Sequence, residues 1–188
     1  MRNRFIKPIA GSFAGVLLLA ILAALPSTSQ QVPNPKDVVS PAAFASLDPV
    51  GRGSAFQIAV VVRIRNGFHI NAREKSEEYL IATDLQAAPA AGFKVGEVSY
   101  PKGQLHSFSF SKTPLNVYEG TVTLRVPVTA LSSAPLGEQR IPLKLRYQAC
   151  NDELCLPPVT LEVDAKVNVA AAAGASRPAH AELFSSQH

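Results

Sequence analysis

Residues 141–169 read IPLKLRYQACNDELCLPPVTLEVDAKVNV, and apolar and polar side chains alternate on both sides of one short interruption. Ile141, Leu143, Leu145, Tyr147 and Ala149 fall on one side of an extended chain, with Pro142, Lys144, Arg146 and Gln148 on the other. Beyond the interruption, Val159, Leu161, Val163, Ala165, Val167 and Val169 alternate with Thr160, Glu162, Asp164, Lys166 and Asn168. Two half-buried strands joined this way predict an antiparallel hairpin. Its tip carries the two cysteines of the 188-residue chain, Cys150 and Cys155, followed by Pro157 and Pro158. By phase, Cys150 continues the polar, solvent-facing side.

The same period of two runs through the preceding hundred residues. Phe56, Ile58, Val60, Val62 and Ile64 oppose Gln57, Ala59, Val61, Arg63 and Arg65. Asn66-Gly67 then predicts a tight hairpin turn with Phe68 to Ala72 as the return strand. Further strands are expected at 79–86, 93–100, 115–119 and 121–128, where Pro127 suggests an edge position. Seven or eight short strands with no sustained helical period predict an all-β antiparallel sandwich in one domain. Residues 101–114, PKGQLHSFSFSKTP, place Phe108 and Phe110 in a connecting loop. Two aromatics there either fold back into the core or do work at the surface. His69 and Asn71 share one face of the return strand, where the plainest expectation is a solvated histidine.

The termini read differently. Residues 1–29 combine Arg2, Arg4 and Lys7 with an uncharged run from Pro8 to Leu25, the pattern of an export signal. Ser27 and Ser29 suit cleavage before Gln30, yet the apolar run is near the roughly 17 residues that span a bilayer, so residues 8–25 could instead remain as a membrane anchor. Residues 30–36 read as a linker, 37–169 as the folded domain and 170–188 as a disordered Ala-rich tail. Without Arg2, Arg4 and Lys7 the chain keeps 15 basic against 14 acidic residues, so the formal charge of +4 is no argument for nucleic acid.

A cysteine pair in an exported protein is commonly a structural staple. Here the closed loop is so short that chain entropy predicts only about 2 kcal/mol from it. Exchange with another thiol is the alternative. For such chemistry Asp152 and Glu153 oppose thiolate formation, while Lys144 and Arg146, sharing the outer face with Cys150, favour it. Two thiolates with His69 or His106 could make a metal site, but Cys-x4-Cys is wider than the usual zinc knuckle. No phosphate-binding glycine loop or Gly-x-Ser-x-Gly is present.

The segment YQACNDELCLPP (147–158), with GFHINA (67–72), YLIATDL (79–85), YPKG (100–103) and PLNVYEG (114–120), resembles the amino-terminal periplasmic domain of the thiol:disulfide interchange protein DsbD over about residues 37–169. The resemblance implies an immunoglobulin-like β-sandwich whose redox pair is Cys150 and Cys155. It implies a cofactor-free, monomeric electron carrier in the periplasm, supplied by thioredoxin-like proteins and a membrane thiol transporter. Disulfide-carrying envelope proteins, those of cytochrome c maturation among them, would be its clients. It sets a phenylalanine over the pair, with Phe110 the better match by its distance from His106 and Tyr118 and Phe108 the other choice. The acidic residues that accompany that phenylalanine in some members are replaced by Ser107, Ser109 and Ser111. It also puts His69, and Asn71 beside it, where aromatic residues flank the disulfide, and it favours Cys155 for attack on a substrate. The competing reading is a non-catalytic protein-binding sandwich with a structural disulfide.

Overall fold

In a computed structural model, which describes residues 32–185, twelve strands form three four-stranded sheets. In chain order the strands are β1 (Val39–Ala45), β2 (Val50–Gly51), β3 (Ala55–Ile64), β4 (His69–Asn71), β5 (Asp84–Ala87), β6 (Phe93–Val95), β7 (Gln104–His106), β8 (Leu115–Tyr118), β9 (Thr121–Ala130), β10 (Gly137–Tyr147), β11 (Ala149–Cys150) and β12 (Val159–Ala170). One sheet has the order β1-β3-β9-β6 and the second β2-β12-β10-β5, and their inner faces make the core of an immunoglobulin-like sandwich. All pairings are antiparallel except the short contact of β2 with β12.

The long strands follow their alternation. In β10, Ile141, Leu143, Leu145 and Tyr147 are buried, opposite Ala165, Val163, Leu161 and Val159 of β12. In β3, Phe56, Ile58, Val60 and Val62 stand opposite Val128, Val126, Leu124 and Val122 of β9. The phase matching across both sheets turns these aliphatic rows toward one shared interior.

The third sheet, β11-β4-β8-β7, is built where the chain leaves the main sheets at one end. The turn at Asn66-Gly67 exists, with Phe68 N–H bonded to Arg65 O at 3.0 Å, but it does not make the expected hairpin. Of its two central residues only Gly67 takes a positive φ, 79°, which is the type II pattern. That twist splays the flanking strands rather than pairing them. β3 therefore stays with β1 and β9, while β4 goes to β11 and β8.

Pro127 is not on an edge, since β9 lies between β3 and β6. Its carbonyl accepts Gly96 N–H on the β6 side, so its missing donor faces the break between Val95 and the Ser99–Arg125 bridge. A Cβ on Gly96 would come within 2.9 Å of the proline ring, so glycine is what lets β6 pass there.

The ends also differ from expectation. In the segment read as linker, Asn34 caps a short turn at Pro35–Asp37, and Tyr147 Oη donates to Pro35 O at 2.7 Å. The Ala-rich stretch after β12 lies on the sandwich instead of trailing away. Asp48 N–H bonds Arg177 O, Ala179 N–H bonds Ser46 O, and Ser176 Oγ accepts from Gly51 N–H. Its helix α1 (Ala181–Phe184) packs on β3, and Leu183 O accepts from Arg125 Nη2 at 2.9 Å. Phe44, Ala59 and Arg125 share one row of the first sheet, and His180 and Leu183 touch the outer two. Cover from this segment explains why Ala59, on the face read as polar, is fully buried. Among the described residues no helix is long and apolar enough to cross a membrane. The export signal or anchor at 1–29 lies outside the described residues.

Candidate redox site

The site begins where β10 ends. Alternation stops at Gln148, whose backbone passes from the second sheet to the third. Consequently Ala149 and Cys150 are both buried, Cys150 at 1% exposure, instead of Cys150 continuing the solvent face. Lys144 and Arg146 stay on the outer face of β10, so they no longer share a side with its sulfur. Cys155 is exposed. The two are joined as a disulfide with Cα atoms 4.0 Å apart.

The loop between them is organised by its own backbone. Asn151 Oδ1 accepts from Glu153 N–H at 3.0 Å and from Leu154 N–H at 2.8 Å, an Asx turn. Asn151 N–H bonds Leu154 O at 2.9 Å, and Leu156 N–H bonds Ala149 O at 2.8 Å. Leu156 is buried and anchors the exit, while Asp152 and Glu153 face solvent.

Across the ladder, Cys150 is the register partner of His69 and Ala149 of Ile70. His69 is not the solvated histidine of the sequence reading: it is 3% exposed, and its Nε2 is buried with no hydrogen-bond partner. Burial lowers its pKa from 6.5 to about 4, with Asp152 opposing that shift and His106 adding to it. Phe108 stacks on the imidazole, centroids 4.2 Å apart and planes 26° from parallel. Phe110 stacks in turn on Phe108 at 5.2 Å and is 48% exposed. The structure thus sets Phe108, rather than Phe110, against the residue beside Cys150. Phe108 also packs against Leu80, Leu115 and Val117, a small cluster apart from the main core.

Asn71 serves a different purpose. Its Nδ2 donates to Ile81 O at 3.0 Å and its carbonyl accepts from Thr83 Oγ1 at 2.6 Å, so it ties down the segment before β5. Gln148 joins the same segment to the tip: its Oε1 accepts from Ile81 N–H, and its Nε2 donates to Leu156 O, both at 3.4 Å. No signal in the sequence marked Gln148 or Asn151 as the residues that hold the tip, beyond the preference of Asn for such turns. Among the described residues no three His, Cys, Asp or Glu side chains gather closely enough to hold a metal ion. His106 instead lies 3.4 Å from Glu119.

In chemical terms the site presents one exposed and one buried cysteine on a tip whose backbone is also closed by its own hydrogen bonds. An incoming thiolate can reach Cys155, with Cys150 as the leaving group.

Comparison with known proteins gives the same fold. The N-terminal periplasmic domain of ScsB from Proteus mirabilis superposes with a TM-score of 0.50 at 13% identity, covering 81% of this chain and 53% of that one. This chain therefore spans about half the length of that structure. The C-terminal fragment of the major pilin GBS80 of Streptococcus agalactiae reaches only 0.37 at 12% identity, over 70% of this chain and 55% of that one. No curated protein matches. The family described as "Thiol:disulfide interchange protein DsbD, N-terminal" matches residues 36–166, which include both cysteines, His69 and the Phe108–Phe110 loop. With that match covering well over half of its length, the chain belongs to the family of the amino-terminal domain of the thiol:disulfide interchange protein DsbD.

Proposed function

We propose that this domain passes reducing equivalents through the Cys150/Cys155 pair in the periplasm, by thiol–disulfide exchange and without a cofactor. A thioredoxin-like domain or a membrane thiol transporter supplies the electrons, and disulfide-carrying envelope proteins receive them. The observation that carries the reading is the asymmetry of the pair, with Cys155 exposed and Cys150 at 1% exposure on a hydrogen-bonded loop. A staple does not need one sulfur within reach of a partner.

The exchange balances without any other reactant. A donor thiolate attacks Cys155 Sγ, a donor–Cys155 disulfide forms, and Cys150 leaves as a thiolate with the electron pair of the broken bond. The donor's second thiolate then attacks its own sulfur in the mixed disulfide and releases Cys155, so two electrons have moved. In the reduced domain Cys155 attacks the client's disulfide and Cys150 resolves the product. Phe108 and Phe110 form an aromatic cover on the His69 side of the pair, which a docking partner would displace or use.

The test is the reduction potential together with trapping. Structural disulfides typically lie below about −300 mV, and a value above that is expected here. Cys150→Ser, which keeps the accessible sulfur, should accumulate a mixed disulfide with a thioredoxin-like partner. Cys155→Ser should trap far less. A potential well below that limit, with no mixed disulfide from either variant, would leave the structural-disulfide reading in place.

A further inference from the structure

The exchange leaves its negative charge on the wrong sulfur for solvent to help. Cys150 is enclosed by the third sheet, and a thiolate formed there needs a donor from the protein. Register brings His69 directly across from it, and the Cβ atoms of such cross-strand pairs are roughly 4.5–5.5 Å apart. With the disulfide closed, the buried Nε2 of that histidine has no partner, which is a cost a folded protein rarely leaves unexplained. A disulfide sulfur is a poor acceptor; a thiolate is a good one.

Resting on the exchange reading above, we propose that His69 stabilises the Cys150 thiolate, its Nε2–H donating a hydrogen bond to Sγ once the disulfide opens. The nitrogen unmatched in the oxidised domain is matched in the reduced one. No full proton leaves the ring in this step: the electron pair of the broken S–S bond stays on Cys150, and the neutral imidazole solvates it. Phe108 fixes the ring plane by stacking. The charged groups around the ring are Asp152 on the cysteine loop, His106 on β7 and, against His106, Glu119 after β8. Arg65 and the turn at Asn66-Gly67 line the same opening as His69, Glu119 and Asp152. Asp152 and the thiolate both draw positive charge onto the ring, so the imidazole should become more basic when the pair is reduced.

His69→Phe keeps an aromatic ring for Phe108 and removes both ring nitrogens; His69→Gln restores a donor. With Cys150 left as the sole thiol by Cys155→Ser, its titration can be followed by thiolate absorbance. A hydrogen bond to a charged group is of the size that shifts a pKa by about one to two units. The Cys150 pKa should rise by that much in His69→Phe and return at least half-way in His69→Gln. In the otherwise unmodified protein, imidazole NMR signals should give His69 a higher midpoint after reduction than before. An unchanged Cys150 titration in His69→Phe overturns the proposal, and so does an identical His69 midpoint in both redox states, which remains measurable if that variant fails to fold. If no thiol donor reduces the native disulfide at a useful rate, the exchange reading fails separately, because the Cys150 titration still reports the His69 contact.

Discussion

Phe108 and Phe110 stand two residues apart in one loop, yet they carry different burdens. Phe108 is half-buried between His69 and the Leu80, Leu115 and Val117 cluster, whereas Phe110 is half in solvent and touches mainly Phe108. Emptying a fully buried phenylalanine costs about 3–5 kcal/mol. Phe108→Ala should therefore cost about 2 kcal/mol and speed alkylation of Cys150 after reduction. Phe110→Ala should cost less than ~1 kcal/mol and chiefly weaken partner encounter. Equal alkylation rates in both variants and the parent would remove the cover from the mechanism. His69 sets a second residue-scale expectation. Its pKa of about 4 lies below the unfolded value of 6.5, so the unfolded chain binds the extra proton first as pH falls. Stability is thus lost from about pH 6.5 downward and the loss is complete near pH 4, an effect on the order of 3 kcal/mol. Urea unfolding at pH 7 and pH 4 should show that extra loss in the parent and not in His69→Phe.

Among the elements, what could be read from sequence was what is long. β3, β9, β10 and β12 each run for ten residues or more, enough for a period of two to be counted, and they make the sandwich. The third sheet consists of strands of two to four residues, too short for any period, and it is the sheet that holds the site. That is why the cysteines were legible and their environment was not. One irregular residue, Gln148, reverses the face of Cys150, and the burial of His69 needs Phe108 from almost forty positions away. The segment after β12 was misread for a related reason: alanine contributes to no periodic pattern, so nothing in it announced a surface to cover. A chain ending at Ala170 tests that element. It would uncover Ala59, leave Arg125 without the Leu183 carbonyl and lose the bond of Gly51 to Ser176. With each hydrogen bond worth about 1 kcal/mol and each buried methyl slightly less, the loss should be about 2–3 kcal/mol. An unchanged unfolding midpoint would make the segment peripheral after all.

At the scale of the whole molecule, an electron carrier must change its redox state without changing its fold. The main core of the sandwich contains neither sulfur, and the cysteine tip is closed by four hydrogen bonds that do not involve the sulfurs: Asn151 N–H to Leu154 O, Leu156 N–H to Ala149 O, and the two from Glu153 and Leu154 to Asn151 Oδ1. Cys150 also keeps its place on the ladder opposite His69. A loop this short contributes only about 2 kcal/mol through chain entropy. Reduction, or replacement of both cysteines by alanine, should therefore lower the unfolding free energy by roughly that amount and leave the strand content intact. Amide exchange is the sharper measurement, because it reads the tip alone. The amides of Leu156 and Asn151 should stay protected in the reduced domain, within about tenfold of the oxidised rate. If they exchange as in an open loop while the sandwich stays protected, the disulfide itself shapes the tip. Each turnover would then have to reorder that loop, and a preformed docking surface shared by both redox states would be lost.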